Sequence, residues 1–205
     1  MVISFITPTR QFDPENIRRI QTMLPEGHEW IVVTAPGGAA HAKNIGAAAA
    51  TGEVLVFVDD DVQLIADWNW DEWLRQDWQF AIAEQYWPAP PINTFMMRAE
   101  AMLLNVLTCV FRYKIFMTGF AAVRRPVFEA VGGYNESVVF EEHVITLDFY
   151  RRGFRGTRLP VRVRLRRRWH GWSPSNDATS RGKEHPPPRP GEVMVLRTGA
   201  PDGSP

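Results

Sequence analysis

The stretch VLVFVDDD at positions 54–61 decides how the rest of this chain is interpreted. Its apolar part, Val54–Val58, has no polar interruption, which predicts a β-strand buried on both faces, as in a parallel sheet. Asp59, Asp60 and Asp61 follow directly, at the strand end where open α/β sheets bind their ligands. Adjacent carboxylates repel one another, and a hard cation such as Mg²⁺ or Mn²⁺ relieves that repulsion. The alternative is a solvated acidic turn or a helix N-cap.

The residues before this stretch alternate between strand and helix patterns. The predicted elements are a strand at Val2–Thr7, a helix from Pro14 to about Met23 capped by Asp13, a strand at Glu29–Thr34 and a helix at Ala40–Ala50. We therefore expect an α/β fold, a single Rossmann-like domain with a mostly parallel mixed sheet.

The second half is less regular. The pattern predicts helices at 95–111, 126–131 and 141–152, and strands at 116–123 and 161–165. From Ser173 onward Pro, Gly and Ser dominate, which is typical of an extended arm. The predicted organisation is a domain over 1–172, divided into halves at 1–63 and 64–172, followed by an arm at 173–205.

Composition limits the class of protein. The chain has 205 residues, no formal net charge and a single cysteine, so an internal disulfide framework is excluded. The N-terminus lacks the basic flank of a signal peptide, and the longest apolar run, Ala101–Phe111, is half the length of a membrane span. We expect a cytoplasmic protein without a transmembrane segment.

Two local clusters suggest binding surfaces. Five tryptophans at 68, 70, 73, 78 and 87 alternate with polar residues and form either core or an exposed stacking wall. Nine arginines and no acid lie between Arg151 and Arg168. They allow a solvated strand face, a clamp for a diphosphate, or a surface for a polyanionic acceptor.

Several motifs occur in an order that resembles one enzyme family. They are HAKNIGAAAATGE at 41–53, Asp59–Asp61, TGF at 118–120, GGYNE at 132–136, and EE at 141–142 followed by RRGFR at 151–155. Together they resemble a family 2 glycosyltransferase, a nucleotide-sugar transferase of the A-type fold, over residues 1–172. The resemblance implies that 1–63 is a nucleotide-sugar-binding half and 64–172 an acceptor half.

The resemblance implies a role for each matching residue. Glu142 stands at the position of the catalytic base, and Asp61 and His170 at the positions of metal ligands for Mn²⁺ or Mg²⁺. Asp59 would face the nucleotide ribose. The other residues implied at the nucleotide-sugar donor are Pro8, Lys43, Asn44 and Asp60. Those expected at the acceptor or at a polyanion are Trp68, Trp70, Gly119, Glu141, Arg166, Arg167 and Arg168.

Two positions depart from the family pattern. The second strand usually ends with an acid that contacts the nucleobase, whereas here Thr34 is followed by Ala35. The base position usually holds Asp, whereas here it holds Glu142. A UDP-sugar remains the expected donor, although the recognition of its base must differ.

The expected activity is a metal-dependent, inverting transfer of a sugar to a hydroxyl group. Small virus-encoded members of the resembling class glycosylate hydroxymethylated bases in DNA, and such a protein would act in the cytoplasm of a host cell. DNA and glycans are equally favoured as acceptors. The alternatives are a non-catalytic nucleic-acid-binding module on the same fold, and a nucleotidyltransferase, which would release pyrophosphate.

Overall fold

The structure is a computed structural model that describes residues 1–9, 14–35, 37–60, 62–64, 69–86, 119–138, 141–165 and 192–197. Its strands are β1 Ile3–Thr9, β2 Glu29–Thr34, β3 Val54–Val58, β4 Val62–Leu64, β5 Phe80–Tyr86, β6 Phe120–Arg124, β7 Gly156–Leu165 and β8 Glu192–Arg197. Its helices are α1 Pro14–Gln21, α2 Ala39–Ala49, α3 Trp70–Leu74, α4 Arg125–Val131 and α5 Glu141–Arg151.

The described strands form one mixed sheet of eight strands in the order β4-β7-β5-β6-β3-β1-β2-β8. β1 pairs in parallel with β2 and β3, and β5 pairs in parallel with β7. β4, β6 and β8 join antiparallel, so that most of the strands run in one direction. The predicted fold class, an α/β Rossmann-like domain with a mostly parallel mixed sheet, is confirmed.

Each face of the sheet is covered by helices. Phe5, Trp30 and Val56 point into one apolar layer with side chains of α1 and α3. Ile6 and Phe57 point into the opposite layer with side chains of α2, α4 and α5. This arrangement explains why Val54–Val58 is apolar at every position, since both of its faces are buried.

Helix α2 approaches the sheet closely because its inner face consists of small residues. A Cβ on Gly46 would lie 2.4 Å from Cγ2 of Ile6, a distance that no side chain tolerates. Glycine at this position therefore sets how near α2 comes to β1, and so where Lys43 and Asn44, in the preceding turn of the helix, are placed.

The sequence prediction located β2 and β3 at their observed bounds and α2, α4 and α5 within one residue at each end. It ended the first strand at Thr7, whereas β1 continues through Pro8 to Thr9 beside β2. β7 begins at Gly156 rather than Val161, because its first residues pair with β5. The predicted helix at 95–111 lies outside the described residues.

Part of the predicted C-terminal arm belongs to the sheet. Glu192–Arg197 pairs antiparallel with Glu29–Thr34, and Met194 and Leu196 pack against the core. Val193 and Val195 face away from that layer and are exposed.

The three described tryptophans of the cluster, Trp70, Trp73 and Trp78, pack into the core rather than form an exposed wall. Trp73 and Trp78 are buried, and their rings stack with centroids 4.0 Å apart. Trp70 is half-buried. Its ring packs edge-on against that of Phe5 and at a tilt against that of Phe120. For Trp73 and Trp78 the first of the two alternatives, core, is therefore the observed one, because these large rings complete the layer beneath α3. Trp68 and Trp87 lie outside the described residues.

Within the described part of the chain, none of the helices has the length and apolar character needed to cross a membrane.

Candidate active site

The acidic turn after β3 lies at the carboxyl edge of the sheet. The backbone N–H of Asp59 donates to the carbonyl of Gly119 over 3.2 Å, and the N–H of Val62 donates to the carbonyl of Asp59 over 3.2 Å. Both Asp59 and Asp60 are partly exposed at this edge. The turn therefore presents carboxylates where a ligand of an α/β sheet is expected to lie.

Two residues from other elements hold this turn. The Thr9 hydroxyl, at the end of β1, donates to Oδ2 of Asp60 over 2.7 Å. The guanidinium of Arg19, on α1, donates to the carbonyl oxygens of Asp60, over 2.7 Å, and of Val62. The sequence reasoning missed both residues, because they lie more than forty positions away along the chain.

A buried cation faces an acid pair across the same edge. Lys43 on α2 is 1 % exposed, and its Nζ lies 3.5 Å from Oε1 of Glu141 and 4.0 Å from Oε1 of Glu142. Glu141 is buried, while the side chain of Glu142 keeps 21 % of its surface exposed. Both acids occupy the first turn of α5, where the helix dipole favours negative charge. Glu142 is thus held in place and still open to a substrate.

Tyr134 links this acid pair to the acidic turn. Its ring lies 5.1 Å from Nζ of Lys43, and the residue is buried. Burial raises the pKa of Tyr134 well above its ordinary value, and the charges of Glu142, Asp59 and Glu141 raise it further. Charges from the end of β3 and from the first turn of α5 therefore both act on this buried phenol.

Asn44 joins α2 to the turn after α4. Its amide nitrogen donates to the carbonyl of Tyr134 over 2.9 Å and to Oε1 of Glu136 over 2.7 Å, and its oxygen accepts from the N–H of Tyr134 over 2.9 Å. His41 contacts Oε2 of Glu136 over 2.9 Å. The hydrogen bonds from Asn44 and then His41 lower the pKa of Glu136. These contacts, which we name the α2 latch (His41, Asn44 and Glu136), fix the loop that carries Tyr134.

Of the remaining predicted site residues, three are described by the structure and the others are not. Gly119 lies beside Asp59, and Pro8 is half-buried in β1 opposite Val33. Trp70 packs into the layer beneath α3, away from the acid pair. The others lie outside the described residues, and they are Asp61, Trp68, Arg166, Arg167, Arg168 and His170.

The donor atoms of the acidic turn suit a divalent metal ion. Asp59 and Asp60 offer carboxylate oxygens, which Mg²⁺ and Mn²⁺ prefer. Among the described residues, no group of three His, Cys, Asp or Glu side chains stands close enough to hold a metal ion. The implied metal therefore fits the chemistry of the turn, and the two predicted ligands, Asp61 and His170, lie outside the described residues.

Tyr134 was interpreted from the sequence only as part of a glycine-rich turn. The signal that could have identified it is its place between Gly132–Gly133 and Asn135–Glu136, since a bulky aromatic residue inside a polar turn is usually anchored in the core. Phe57 and Phe128 provide that anchor, with ring centroids 5.2 Å and 5.7 Å from the Tyr134 ring.

Comparison with known proteins gives a likeness of fold. No protein-family model matches this sequence, and no curated protein is similar to it. The mannosyltransferase PcManGT from Pyrobaculum calidifontis, in complex with GDP-Man and Mn²⁺, matches with a TM-score of 0.61 and 19% identity over 83% of this chain and 58% of its own. The 1-349 form of S. aureus TarS in complex with UDP matches with a TM-score of 0.53 and 14% identity over 81% of this chain and 58% of its own.

This chain has the A-type fold of the glycosyltransferases. A second TarS structure matches with a TM-score of 0.51 and 14% identity over 80% of this chain and 35% of its own. The chain spans little more than half the length of PcManGT, at 58%. At these identities the likeness establishes the A-type fold, and the activity has to be argued from the site.

Proposed function

We propose that this chain is a metal-dependent glycosyltransferase that moves a sugar from a nucleotide-sugar donor to a hydroxyl acceptor with inversion at the anomeric carbon. The observation that carries the proposal is the placement of Glu142, a partly exposed carboxylate held 4.0 Å from a buried lysine. Its charge and that of Asp59 both act on the buried phenol of Tyr134, and the fold is of the A type. Binding alone does not require such an arrangement.

Glu142 acts as the general base in this proposal. A hydroxyl group is a weak nucleophile until a positioned carboxylate accepts its proton. As the acceptor oxygen forms its bond to the anomeric carbon, the bond from that carbon to the diphosphate oxygen breaks, and its electron pair leaves on the nucleoside diphosphate. The acceptor proton passes to the Glu142 carboxylate. One in-line displacement of this kind inverts the anomeric centre.

The acidic turn holds the donor diphosphate through a metal ion in this proposal. Asp61 and His170 would ligate Mn²⁺ or Mg²⁺, and Asp59 would face the ribose. When bound, the cation stabilises negative charge on the leaving diphosphate. PcManGT and TarS, whose structures contain GDP-Man with Mn²⁺ and UDP, support a nucleotide donor and a metal for this fold.

The donor nucleoside is the least constrained part of the proposal. The two solved structures carry different nucleosides, guanosine in PcManGT and uridine in TarS. In this chain the second strand ends at Thr34 rather than at an acid that would contact the nucleobase. Thr34 and its partner in register, Thr9 at the end of β1, are both buried. We propose a UDP-sugar as the first donor to test and a GDP-sugar as the second.

The acceptor is proposed to be either a glycan or a hydroxymethylated base in DNA. The described arginines of the basic segment that are exposed are Arg151, Arg152, Arg155 and Arg158. Arg155 pairs with Asp77 over 2.8 Å and Arg151 with Asp148 over 3.2 Å, so part of this charge is neutralised on the protein itself. The positive charge that we propose for binding a polyanion is therefore mainly that of Arg152, Arg158 and the segment from Arg162 onward.

The test is release of nucleoside diphosphate from a panel of UDP- and GDP-sugars with Mn²⁺, with and without DNA that contains hydroxymethylcytosine. Release that DNA stimulates supports a DNA acceptor, and release without that stimulation sends the search to glycans. Release of pyrophosphate from a nucleoside triphosphate would instead indicate a nucleotidyltransferase. Binding of DNA with no release from any donor would indicate a non-catalytic binding module.

The measurements with DNA have a control for the loss of positive charge. Replacing Arg166, Arg167 and Arg168 with Ala should weaken DNA binding. It should also make the slope of log K against log salt shallower, by about 0.9 for each phosphate that the protein no longer neutralises. Replacing the exposed Arg18 and Arg75 with Ala removes charge from helix α1 and from the end of α3. If both sets of variants weaken binding equally for each charge removed, the 166–168 segment has no specific part in DNA recognition.

A further inference from the structure

We propose that Arg19 is the positioning residue of the acidic turn, and that it sets the affinity of the turn for a divalent metal ion by holding the backbone on both sides of Asp61. Because the metal is part of the proposed function, the assignment of Arg19 rests on that function. The residue lies on α1, outside every motif that carries the family resemblance.

The contacts of Arg19 are specific to the turn. One guanidinium nitrogen donates to the carbonyl of Asp60 over 2.7 Å and the other donates to the carbonyl of Val62. These two residues flank position 61 in the chain. A single planar group that holds both carbonyls fixes the backbone carbonyl directions of the residues before and after position 61.

The guanidinium also places a positive charge close to the acidic turn. Asp59, Asp60 and Asp61 are consecutive, and their mutual repulsion favours an open chain when no metal is bound. A fixed positive group beside Asp60 lowers that repulsion, and it is held there by its hydrogen bonds to the backbone carbonyl oxygens of Asp60 and Val62.

Thr9 completes the support from the opposite side. Its hydroxyl donates to Oδ2 of Asp60, and Thr9 itself is buried at the end of β1. Asp60 is thus tied to the sheet through its side chain and to α1 through its backbone carbonyl. These contacts give Asp60 a positioning role in the turn, and the donor contact that the family resemblance implied for it stays a prediction.

Arg19 is itself held against α1. Its side chain is half-buried, and one guanidinium nitrogen lies 4.0 Å from the sulfur of Met23, one helical turn further along. Met23 in turn packs against the core cluster beneath α1. The support of the turn is therefore continuous from the core to the backbone on both sides of Asp61.

The experiment measures Mn²⁺ binding by electron paramagnetic resonance, with the ion alone and with UDP or GDP added. Arg19→Ala should weaken Mn²⁺ binding about tenfold or more, the range found when groups that orient metal ligands are removed. Arg19→Lys should fall between Ala and the unchanged protein, because one ammonium does not span two carbonyls as a planar fork does. The exposed neighbour Arg18 provides the control, since Arg18→Ala removes the same charge from the same helix.

The outcomes separate the inference from the proposed function. If the unchanged protein binds no Mn²⁺ under any of these conditions, the metal-dependent function fails and the role of Arg19 fails with it. If the unchanged protein binds Mn²⁺ and Arg19→Ala binds it equally well, only the role of Arg19 is overturned. Equal weakening by Arg18→Ala would also overturn it, because general charge would then explain the effect.

A second variant covers the case in which Arg19→Ala does not fold, as judged by circular dichroism. Thr9→Val removes the hydroxyl that holds Asp60 and keeps the shape of the side chain. It should weaken Mn²⁺ binding in the same direction as Arg19→Lys. Unchanged Mn²⁺ affinity in both Thr9→Val and Arg19→Lys would contradict the proposal.

Discussion

Lys43 is the residue on which the geometry of the site depends most. It is among the largest fully buried side chains of the described chain, and its Nζ lies within 4.0 Å of both Glu141 and Glu142. Burying an unpaired charge costs several kcal/mol, so the lysine and the acids are stable there only together. The same pairing holds the carboxylate of Glu142 at one place on the edge of the sheet.

We expect Lys43→Met to lower the free energy of unfolding by about 3 kcal/mol, because it leaves the acids of α5 without their buried partner. Methionine fills a similar volume, so the effect is not one of packing. Chemical denaturation measures the effect. Adding Glu141→Gln to Lys43→Met should restore part of the stability, and strict additivity of the two changes would contradict the pairing.

The α2 latch shows how one helix controls a distant loop. Asn44 holds the backbone of Tyr134 and the side chain of Glu136, which lie 90 and 92 positions later in the chain. Gly132 and Gly133 make this loop possible, because their φ angles of 84° and 80° are strained for any other residue.

The two glycines form a matched pair for testing the latch. Alanine at Gly132 meets no atom within 4 Å, so Gly132→Ala should cost only the backbone strain, about 1–2 kcal/mol. Alanine at Gly133 carries the same strain, and its Cβ would also lie 2.8 Å from Oδ1 of Asn44. We expect Gly133→Ala to cost about 1 kcal/mol more in chemical denaturation. Equal costs would show that Asn44 moves freely and that the latch is weak.

The latch also predicts a dependence of stability on pH. Hydrogen bonds from Asn44 and His41 lower the pKa of Glu136, so its carboxylate stabilises the folded state above the unfolded pKa. That stability is lost as the pH falls through the lower, folded pKa. The difference in unfolding free energy between the unchanged protein and Glu136→Gln should therefore be constant above about pH 5 and shrink in more acid solution. The exposed Glu26, changed to Gln, serves as the control, and a difference that grows on acidification would contradict the assignment.

The success of prediction from sequence varied with the kind of element. β2 and β3 were located at their bounds because buried parallel strands are continuous apolar runs. β5 was missed because its sequence, FAIAEQY, mixes small, polar and aromatic residues, and its strand character comes from pairing with β6 and β7. At the candidate site, the order of the motifs indicated Asp59 and Glu142 as candidate residues. Arg19 and Thr9 were missed because their contacts join residues 41 and 51 positions apart.

At the scale of the whole molecule, β8 completes one edge of the described sheet. Leu196 lies opposite the fully buried Trp30 and packs against the core, whereas its neighbour Val195 is 54% exposed. The C-terminal region therefore contributes to the stability of the domain, although its composition is typical of an arm.

We expect Leu196→Thr to lower the free energy of unfolding by about 1–2 kcal/mol, because it removes apolar surface from the edge of the core. Val195→Thr keeps the shape of a side chain on the exposed face of the same strand. This change should alter the free energy of unfolding by less than about 0.5 kcal/mol. Thermal and chemical unfolding of the two variants provide the comparison. Equal and small effects would mean that β8 adds little to the sheet.

The central claim is that Glu142 is the base of a metal-dependent sugar transfer. The most direct measurement is the rate of nucleoside diphosphate release with Mn²⁺ and the acceptor found active, compared between the unchanged protein and Glu142→Gln. We predict that Glu142→Gln lowers kcat by about 10²–10⁴-fold while Mn²⁺ and nucleotide binding stay unchanged, since glutamine keeps the shape but accepts no proton. Release at the unchanged rate in Glu142→Gln, with the variant folded, would contradict the account.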